Sequence, residues 1–313
     1  MGQLSVSLDL DDRDAEAVED ACFAAGALSV VLTDRRDDAI LEPKPGEVRL
    51  WPATRLQAIF PAENASAAAL VELAAAIGCR LEELAVEHIA ERAWEREWLK
   101  DFVPMQFGRN LWICPSHATV EAADAVVVKL DPGLAFGTGT HPTTRLCLEF
   151  LDAAPRGGGL VVDYGCGSGV LAIAALALDP AAQALVHDID PQALVATADN
   201  AAANSVSSRI EYFEDPEQLV ERTSPNGARL VLANILSGPL CELAPRLCRC
   251  LAEDGAIVLA GLLAAQAEEV IAAYSPWVAL ERWRELDGWV CLAGRRHPQP
   301  EPSRPNDPRP SHA

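Results

Sequence analysis

A glycine-rich turn between an apolar strand and an apolar helix constrains the fold of this chain more than any other sequence feature. The turn lies in the segment VVDYGCGSGVLAIAAL, residues 161–176. Gly165, Gly167 and Gly169 let the backbone approach a ligand closely at the carboxyl end of the strand. The order of strand, glycine turn and helix therefore predicts the first unit of a Rossmann-like parallel sheet with a ligand at this edge.

The spacing of these glycines indicates the kind of ligand. The segment reads G-x-G-x-G, whereas a dinucleotide fingerprint, G-x-G-x-x-G, would have glycine where this chain has Val170. S-adenosylmethionine has no pyrophosphate that needs a helix amino terminus. The motif therefore favours a methyltransferase that uses S-adenosylmethionine. A dehydrogenase is the alternative that so short a motif leaves open.

The chain after Gly157 alternates strand and helix patterns. Its strands are continuously apolar, which is typical of a parallel sheet that is buried on both faces. The last segment, ALERWRELDGWVCLAGRR, predicts a hairpin that turns at Asp287 and Gly288. We predict an α/β domain over residues 108–296, with helices at Val170–Leu178, Pro191–Asn204, Pro239–Leu251 and Ala264–Tyr274.

The first ninety residues have the pattern βαββαβ, which predicts a smaller α+β ferredoxin-like domain over residues 1–89. Such a fold hosts many functions and identifies none. Residues 90–107 form the predicted linker, a helix with Trp94 and Trp98 on one side. Residues 297–313, rich in proline and polar side chains, are expected to be a disordered tail.

Acidic residues follow the second strand of the α/β domain, in the segment ALVHDIDP. Asp188 lies where the ribose hydroxyls of an adenosine ligand are expected, so we predict that its carboxylate binds them. Asp190 precedes Pro191 and is expected to cap the next helix. His187 is expected to pack under this loop rather than to act in catalysis.

Two further segments contribute polar side chains to the predicted site. Asn234 ends the fourth strand in VLANILSGPL, where its amide can hold both cofactor and acceptor nitrogen; the alternative is that it only caps the turn. The segment LDPGLAFGTGTHPTT, residues 130–144, combines glycines with threonines. Its composition predicts a loop that folds over a ligand.

Charge and composition limit the function further. The formal net charge of −21 repels phosphate backbones, so nucleic acid is a poor candidate for the substrate, although acidity can also serve solubility alone. The nine cysteines form no C-x-x-C pair and the six histidines no H-E-x-x-H, so no metal site is predicted. The apolar runs are too short to span a membrane, and the amino terminus has no secretory pattern, so we expect a cytoplasmic protein.

Five segments, in this order along the chain, resemble the ribosomal protein L11 methyltransferase family. The family's threonine loop and Asn-Ile-Leu motif distinguish it from methyltransferases with Asn-Pro-Pro-Tyr. The matching segments are WEREWLKDFVPMQFGRNLWICPS, LDPGLAFGTGTHPTTRLCLEFL, DYGCGSGVLAIAAL, DIDPQAL and ANILSGPLCELAP.

The resemblance implies a Rossmann-like class I methyltransferase domain with a seven-stranded, mostly parallel sheet. It also implies that Thr144, Gly165, Asp188 and Asn234 contact S-adenosylmethionine, and that the first domain recognises ribosomal protein L11. The family trimethylates lysine side chains and the N-terminal amine of that protein. The sequence identifies no catalytic base. A methyltransferase for another protein or a small-molecule amine, and a binding module without activity, remain as alternatives.

Overall fold

A computed structural model of the chain describes residues 3–36, 50–61, 66–89, 103–131 and 139–297. The chain divides into two compact units, Met1–Trp98 and Leu99–Ala313. The aromatic pair of the predicted linker, Trp94 and Trp98, lies outside the described residues, and so does the predicted tail after residue 297.

The first unit has the strand and helix order βαββαβ. Its elements are β1 (Gln3–Asp9), α1 (Ala15–Ala24), β2 (Ser29–Asp34), β3 (Thr54–Pro61), α2 (Ala67–Ile77) and β4 (Ala85–Ile89). The sheet has the order β2-β3-β1-β4, and all neighbours are antiparallel. The predicted ferredoxin-like order is therefore present, although Leu81–Glu83 forms a 3-10 turn before β4.

The core of the first unit follows from the alternation of side chains along its strands. Val6 and Leu8 of β1 point to one face, where they pack with Val18 of α1 and Leu73 of α2. Each such side chain contributes roughly 1.5–3 kcal/mol when it leaves water. Gly78, with φ of 73°, ends α2 in the left-handed conformation that glycine adopts without strain.

The second unit is built on a seven-stranded sheet of order β10-β9-β8-β11-β12-β14-β13. Every neighbouring pair is parallel except the two that involve β14. This is the mostly parallel sheet that the sequence predicts. The strands are β8 (Gly159–Tyr164), β9 (Ala182–His187), β10 (Ile210–Phe213), β11 (Ala228–Asn234), β12 (Leu251–Leu263), β13 (Val278–Leu286) and β14 (Trp289–Arg296).

Six helices of the described residues cover the two faces of this sheet. They are α3 (Pro142–Ala153), α4 (Val170–Leu178), α5 (Pro191–Ala203), α6 (Pro216–Thr223), α7 (Ser237–Arg249) and α8 (Ala267–Tyr274). Helices α3, α4 and α5 pack on one face, and α6, α7 and α8 on the other. The helix side chains in these two cores include Leu146, Ile173 and Leu194 on the first face and Leu219, Leu240 and Val270 on the second.

The order of the strands fixes where a ligand can bind. From β8 the chain proceeds to β9 and β10 on one side, and then returns to place β11 on the other side of β8. Open α/β sheets bind their ligands at such a switch point, at the carboxyl ends of the strands. At that edge, Gly165 follows β8, Asp188 follows β9 and Asn234 ends β11.

A separate three-stranded sheet precedes α3. It consists of β5 (Met105–Phe107), β6 (Leu111–Cys114) and β7 (Val126–Lys129) in the order β5-β6-β7. The predicted linker helix over residues 90–107 is therefore wrong at its carboxyl end, because Met105–Phe107 pairs with Leu111–Ile113 as an antiparallel strand. Tertiary pairing decides this short segment, which is too short for helical periodicity to be informative.

Three of the four predicted helices differ from the structure in their bounds, α5 only because it ends at Ala203 instead of Asn204. Two helices among the described residues were not predicted. Helix α7 begins two residues before Pro239, because a proline in the first turn removes an N–H that has no acceptor within the helix. At the other end of α7, Leu251 already belongs to β12. The predicted helix Ala264–Tyr274 starts as a 3-10 turn. Helix α6 was not predicted, and neither was α3, whose first turn includes residues that the sequence assigns to a loop.

The nine cysteines are free thiols, and seven of them are buried. Burial raises the pKa of the Cys22 and Cys250 thiols to about 11, so both remain protonated at neutral pH. No helix of the described residues is long and apolar enough to cross a membrane.

Candidate functional site

The glycine turn adopts a backbone that only glycine tolerates. Gly165 and Gly169 have φ of 78° and 75°. A Cβ atom at Gly165 would overlap Ile235 Cγ2, and one at Gly169 would lie 2.5 Å from Thr197 Cγ2. Positive φ and the close approach of Ile235 and Thr197 therefore both require glycine at these two positions.

Helix α5 holds the turn in place from below. Thr197 Oγ1 donates to the carbonyl oxygen of Gly167 at 3.0 Å, and Asn200 Nδ2 donates to that of Ser168 at 2.8 Å. Two carbonyls of the turn are therefore bound by α5, while the Gly165 and Gly167 N–H groups donate to His187 O and Asp188 Oδ2 on the side of β9. The sequence analysis missed both residues, although their spacing of three places them on one face of the helix.

Asp188 is tied to the glycine turn by its own carboxylate. Oδ2 accepts a hydrogen bond from the Gly167 N–H at 2.8 Å, and Oδ1 accepts one from the Asp190 N–H at 3.0 Å. Asp190 in turn accepts from the Gln192 N–H at 2.9 Å and caps α5 before Pro191, so that prediction is confirmed. The half-buried Asp188 is thereby oriented at the end of β9, ready to accept further hydrogen bonds.

Ile189 lies between these two acids with its side chain 94% exposed. An aliphatic side chain so exposed beside a polar turn offers apolar surface to a flat ligand, since its burial would then be favourable. The sequence analysis missed this residue, although the alternation of acid, isoleucine and acid is visible in DIDP.

Asp163 places a second carboxylate beneath the turn. The residue is 1% exposed, and its Oδ2 accepts a hydrogen bond from the Ala172 N–H in the first turn of α4 at 3.0 Å. Its Oδ1 is buried and has no hydrogen-bond partner among the described residues. Burial raises the pKa of Asp163 to about 7; the Ala172 N–H opposes this shift, and the charge of Asp188 adds to it.

The sequence gives one signal for Asp163 that the analysis missed, an acid within an otherwise apolar strand. Such a carboxyl costs stability unless it is bound or protonated. An incompletely satisfied buried carboxyl beside a glycine turn is suited to hold a cationic group, either directly or through water.

Thr144 and Asn234 meet at the other side of β8. Thr144 lies in the first turn of α3 and is fully buried, and Asn234 ends β11. Asn234 Nδ2 donates to Thr144 Oγ1 at 3.3 Å. The structure therefore joins two of the residues that the family resemblance implies, and the other two, Gly165 and Asp188, lie along the same edge of the sheet.

His141 caps α3 through its imidazole. Its Nδ1 accepts from the Thr143 N–H at 3.3 Å and lies 2.7 Å from Thr143 Oγ1. An Nδ1 atom that accepts from the backbone carries no proton, so the neutral ring is protonated at Nε2. Trp289 packs edge-on against the ring at 4.8 Å between centroids, and burial lowers the pKa of His141.

His187 has a structural role. The residue is buried, its Nδ1 donates to the carbonyl oxygen of Phe213 at 2.9 Å, and its ring lies 4.6 Å from that of Tyr164. Its own carbonyl oxygen accepts from the Gly165 and Cys166 N–H groups. It therefore supports the glycine turn from beneath, and its burial agrees with the prediction that His187 is packed.

The predicted threonine loop is only partly described. Residues 132–138, which include Gly133, Gly137 and Thr138, lie outside the described residues. The end of that segment is helical, because Pro142 opens α3 and Thr143 and Thr144 lie in its first turn. No cluster of three or more histidine, cysteine or acidic side chains within the described ranges is arranged to hold a metal ion.

Together these groups suit a nucleoside that carries a charged amino-acid tail. The glycine turn lets a ligand lie close to the backbone. Asp188 offers carboxylate oxygens to the ligand's hydroxyls, and Ile189 offers apolar surface to its base. The half-buried Asn234 offers a polar side chain farther along the edge, with the buried Thr144 in contact with it and the buried carboxyl of Asp163 beneath the turn. S-adenosylmethionine has each of these features, so the residues fit it.

Comparison with known proteins shows which family the chain resembles over most of its length. A family model described as Ribosomal protein L11 methyltransferase (PrmA) matches residues 3–297. The chain is 48% identical over 296 residues to the ribosomal protein L11 methyltransferase of Pseudomonas aeruginosa (strain LESB58), which covers 95% of this chain and 99% of that protein. It is 46% identical over 301 residues to that of Actinobacillus pleuropneumoniae serotype 3, with 94% and 99% covered.

A solved structure agrees with these matches. The crystal structure of ribosomal protein L11 methylase from Lactobacillus delbrueckii subsp. bulgaricus superposes with a TM-score of 0.56 at 30% sequence identity. The match covers 63% of this chain and 100% of that chain.

Proposed function

The chain belongs to the ribosomal protein L11 methyltransferase family, and we propose that it transfers methyl groups from S-adenosylmethionine to amine nitrogens of ribosomal protein L11. The acceptors are lysine side chains and the N-terminal amine, each methylated up to three times. The observation that carries the proposal is the family match from residue 3 to residue 297, which spans both units.

Four residues are proposed to hold the cofactor. Asp188 accepts hydrogen bonds from the ribose hydroxyls, and Gly165 lets the ligand approach the backbone at the end of β8. Thr144 and Asn234 contact the cofactor nearer to its reacting methyl group. The role of Asp188 has direct structural support, because the Gly167 N–H already orients its carboxylate through a hydrogen bond of 2.8 Å.

The reaction forms a bond between the acceptor nitrogen and a methyl carbon. When bound, S-adenosylmethionine supplies an electrophilic methyl group on a sulfonium. The acceptor nitrogen would form the new bond with its lone pair, and the electrons of the carbon–sulfur bond would remain on sulfur. One proton leaves the nitrogen after each of the first two transfers, whereas the third converts a dimethyl amine without an N–H into a trimethylammonium. Because the lone pair must be free, the acceptor has to be neutral.

Neutralisation of the acceptor is the main energetic requirement. At pH 7 it costs about 4 to 5 kcal/mol for a lysine of pKa about 10.4, and about 1 kcal/mol for an α-amine. Burial favours the neutral amine. His141 does not take the proton, because Nδ1 is engaged by Thr143 and Nε2 carries hydrogen in the neutral ring. We propose that the proton leaves to water and that the site stabilises the neutral amine.

The first unit is proposed to recognise the substrate. We propose residues 1–89 as this recognition domain and residues 108–296 as the methyltransferase domain, to which β5 (Met105–Phe107), at the end of the predicted linker, adds a strand. Neither nucleic acid nor membrane is a proposed partner, since the net charge of −21 disfavours anionic surfaces. The cytoplasm is the proposed location because large-subunit ribosomal proteins are made and assembled there.

The test is methylation of recombinant ribosomal protein L11 by the purified chain with radiolabelled S-adenosylmethionine, followed by intact mass measurement. We expect mass gains in steps of one methylene. Asp188→Ala should abolish them at limiting cofactor, whereas Asp190→Asn, which keeps a cap on α5, should not.

Two other outcomes would change the proposal. Cofactor binding without transfer to L11 would keep the cofactor and reject the substrate, and the search would move to another protein or a small-molecule amine. Absence of cofactor binding would reject the enzymatic function altogether and leave a binding module.

A further inference from the structure

Leu236 is an exposed leucine at a helix position that usually carries a polar side chain. It is the N-cap residue of α7, with φ of −62° and ψ of 155°, and its side chain makes no cap hydrogen bond. The residue is 55% exposed. Serine, threonine, aspartate and asparagine are preferred at this position, because their side chains accept from N–H groups of the first turn. Leu236 therefore contributes no side-chain cap to α7 and only part of its apolar surface to the core.

The residue before Leu236 is packed closely at the carboxyl edge of the sheet. A Cβ atom at Gly165 would overlap Ile235 Cγ2, and one at Gly261 in β12 would overlap the Ile235 carbonyl oxygen. Ile235 thus lies against the glycine turn through its side chain and against β12 through its backbone. This packing fixes the point at which the chain reaches Leu236, whose side chain is exposed instead.

Leu236 lies on the side of the glycine turn opposite to Asp188. The residues proposed to bind the nucleoside, Gly165 and Asp188, follow β8 and β9. Leu236 follows β11, which is the neighbour of β8 on its other side, and comes two residues after Asn234. Neighbouring strands are about 4.8 Å apart. Leu236 is therefore about two strand spacings from the proposed ribose contact, but next to the residue proposed to lie near the reacting methyl group.

We propose that Leu236 is a specificity-determining residue whose exposed side chain contacts the aliphatic stem of an acceptor lysine; the inference deepens the proposed function and rests on it. A lysine side chain has a four-carbon stem between its backbone and its nitrogen, whereas an N-terminal α-amine has none. When the lysine nitrogen reaches the methyl group beside Asn234, its stem extends back along the rim of the site. Contact with Leu236 removes apolar surface of both side chains from water and favours lysine over the α-amine.

The same contact acts where lysine has the larger energetic obstacle. A lysine amine is neutral at pH 7 at a greater cost than an α-amine, and an apolar neighbour disfavours its charged form. A serine or aspartate at position 236 would cap α7 better but would hold water beside the acceptor. A leucine at this N-cap position therefore serves the acceptor at the expense of the helix.

The experiment replaces Leu236 by serine, alanine or methionine in the full chain. Each variant methylates ribosomal protein L11 at saturating S-adenosylmethionine and at an L11 concentration below its KM. Peptide mass mapping gives the initial rate of the first transfer at each lysine and at the N-terminal amine. Because both kinds of acceptor react in one mixture, the ratio of their rates does not depend on how much enzyme is folded.

We expect Leu236→Ser and Leu236→Ala to lower the ratio of lysine transfer to α-amine transfer about tenfold, as for about two methylene groups that are no longer buried. Leu236→Met, which keeps the apolar surface, should stay within twofold of the wild-type ratio. The Kd for S-adenosylhomocysteine, from calorimetry, should change less than threefold in all three variants, because Gly165 and Asp188 are intact.

Thermal unfolding of Leu236→Ser gives a readout in the opposite direction. Serine is a good N-cap residue, so the Tm of this variant should equal or exceed that of the wild type, by up to about 4 °C. A leucine that served only the fold would give the reverse result, because its loss would lower the Tm and slow transfer to every acceptor alike.

Val195→Ala is the matched control. Val195 is 63% exposed on α5, which follows β9 rather than β11. The substitution therefore truncates another exposed aliphatic side chain of the same unit, on the other side of the glycine turn. The ratio of lysine transfer to α-amine transfer should stay at the wild-type value.

The inference is overturned if Leu236→Ser slows lysine and α-amine transfer equally, or if its Tm falls below that of the wild type. It is also overturned if the Kd for S-adenosylhomocysteine rises about tenfold, since Leu236 would then contact the cofactor. Each of these outcomes leaves the proposed function intact as long as the wild-type chain methylates L11. If the wild-type chain transfers no methyl to L11, the proposed function fails, and the inference fails with it.

Discussion

The carboxylate of Asp188 accepts a hydrogen bond from the backbone N–H of Gly167 at 2.8 Å. The bond joins the residue proposed to bind ribose to the turn proposed to admit the cofactor, across 21 residues of chain. Two adjacent parallel strands, β8 and β9, bring these groups together, so the acid and the turn form one preorganised unit.

Asp188→Asn should weaken cofactor binding. The substitution keeps an oxygen for one contact but loses the charge and one acceptor, and hydrogen bonds to charged groups contribute about 1.5–3 kcal/mol. We expect the Kd for S-adenosylhomocysteine, measured by calorimetry, to rise about 10- to 100-fold. Asp190→Asn should change it little, and equal effects of the two variants would contradict the assignment of Asp188.

Gly169→Ala should destabilise the second unit. The residue combines φ of 75° with a Cβ position 2.5 Å from Thr197 Cγ2. Left-handed strain and steric overlap together should cost about 2–4 kcal/mol in the free energy of unfolding from urea titration.

Two controls separate these causes. Gly78→Ala has the strain without a neighbour and should cost about 1–2 kcal/mol, and Gly157→Ala has neither and should cost less.

Ile189→Ala should reduce cofactor affinity without loss of stability. The side chain is 94% exposed, so its truncation removes no packing from the folded protein. If it covers the base, the lost burial is about 1–2 kcal/mol, or roughly five- to thirtyfold in Kd. Leu28→Ala, at an exposed leucine of the first unit, is the control and should leave the Kd unchanged. An unchanged Kd for Ile189→Ala would place the base elsewhere.

Asp163 should make stability fall as pH rises from about 4 to 7. Burial raises its pKa to about 7 in the folded state, against about 3.9 in the unfolded chain. Between these values the folded state holds a proton that the unfolded state releases, so the contribution of Asp163 to the free energy of unfolding is greatest below about pH 4 and declines up to about pH 7. The difference in unfolding free energy between the wild type and Asp163→Asn, measured across this range, isolates the effect; a constant difference would contradict it.

His141 should have the opposite dependence. Burial lowers its pKa, so the unfolded chain takes up the proton at higher pH than the folded one. Its stabilising contribution is complete above pH 6.5 and is lost as pH falls from there through the lowered value. Protonation at Nδ1 would also break the cap on α3. His141→Asn keeps a cap and does not titrate, so thermal unfolding of the two proteins should diverge only below about pH 6.5.

Local sequence patterns predicted several elements of this fold, because each pattern is encoded within a few neighbouring residues. The bounds of α4, Val170–Leu178, agree with the prediction. Helix α3 was missed because its amino terminus is the threonine-rich segment, whose composition favours a loop, and because a histidine serves as its cap. Asp163 was missed although the sequence shows an acid in an apolar strand, and only the structure shows that its carboxyl is buried and incompletely hydrogen bonded.

The sequence by itself determined the parallel sheet, the glycine turn and the acid after the second strand, since strand length, glycine spacing and chain order are local properties. Only the tertiary structure decided which distant side chains meet. Thr144 and Asn234 are 90 residues apart, and their hydrogen bond depends on how α3 packs against the sheet. The same packing buries Asp163 and fixes the tautomer of His141, because burial and hydrogen-bond partners arise from the assembled layers rather than from any single segment.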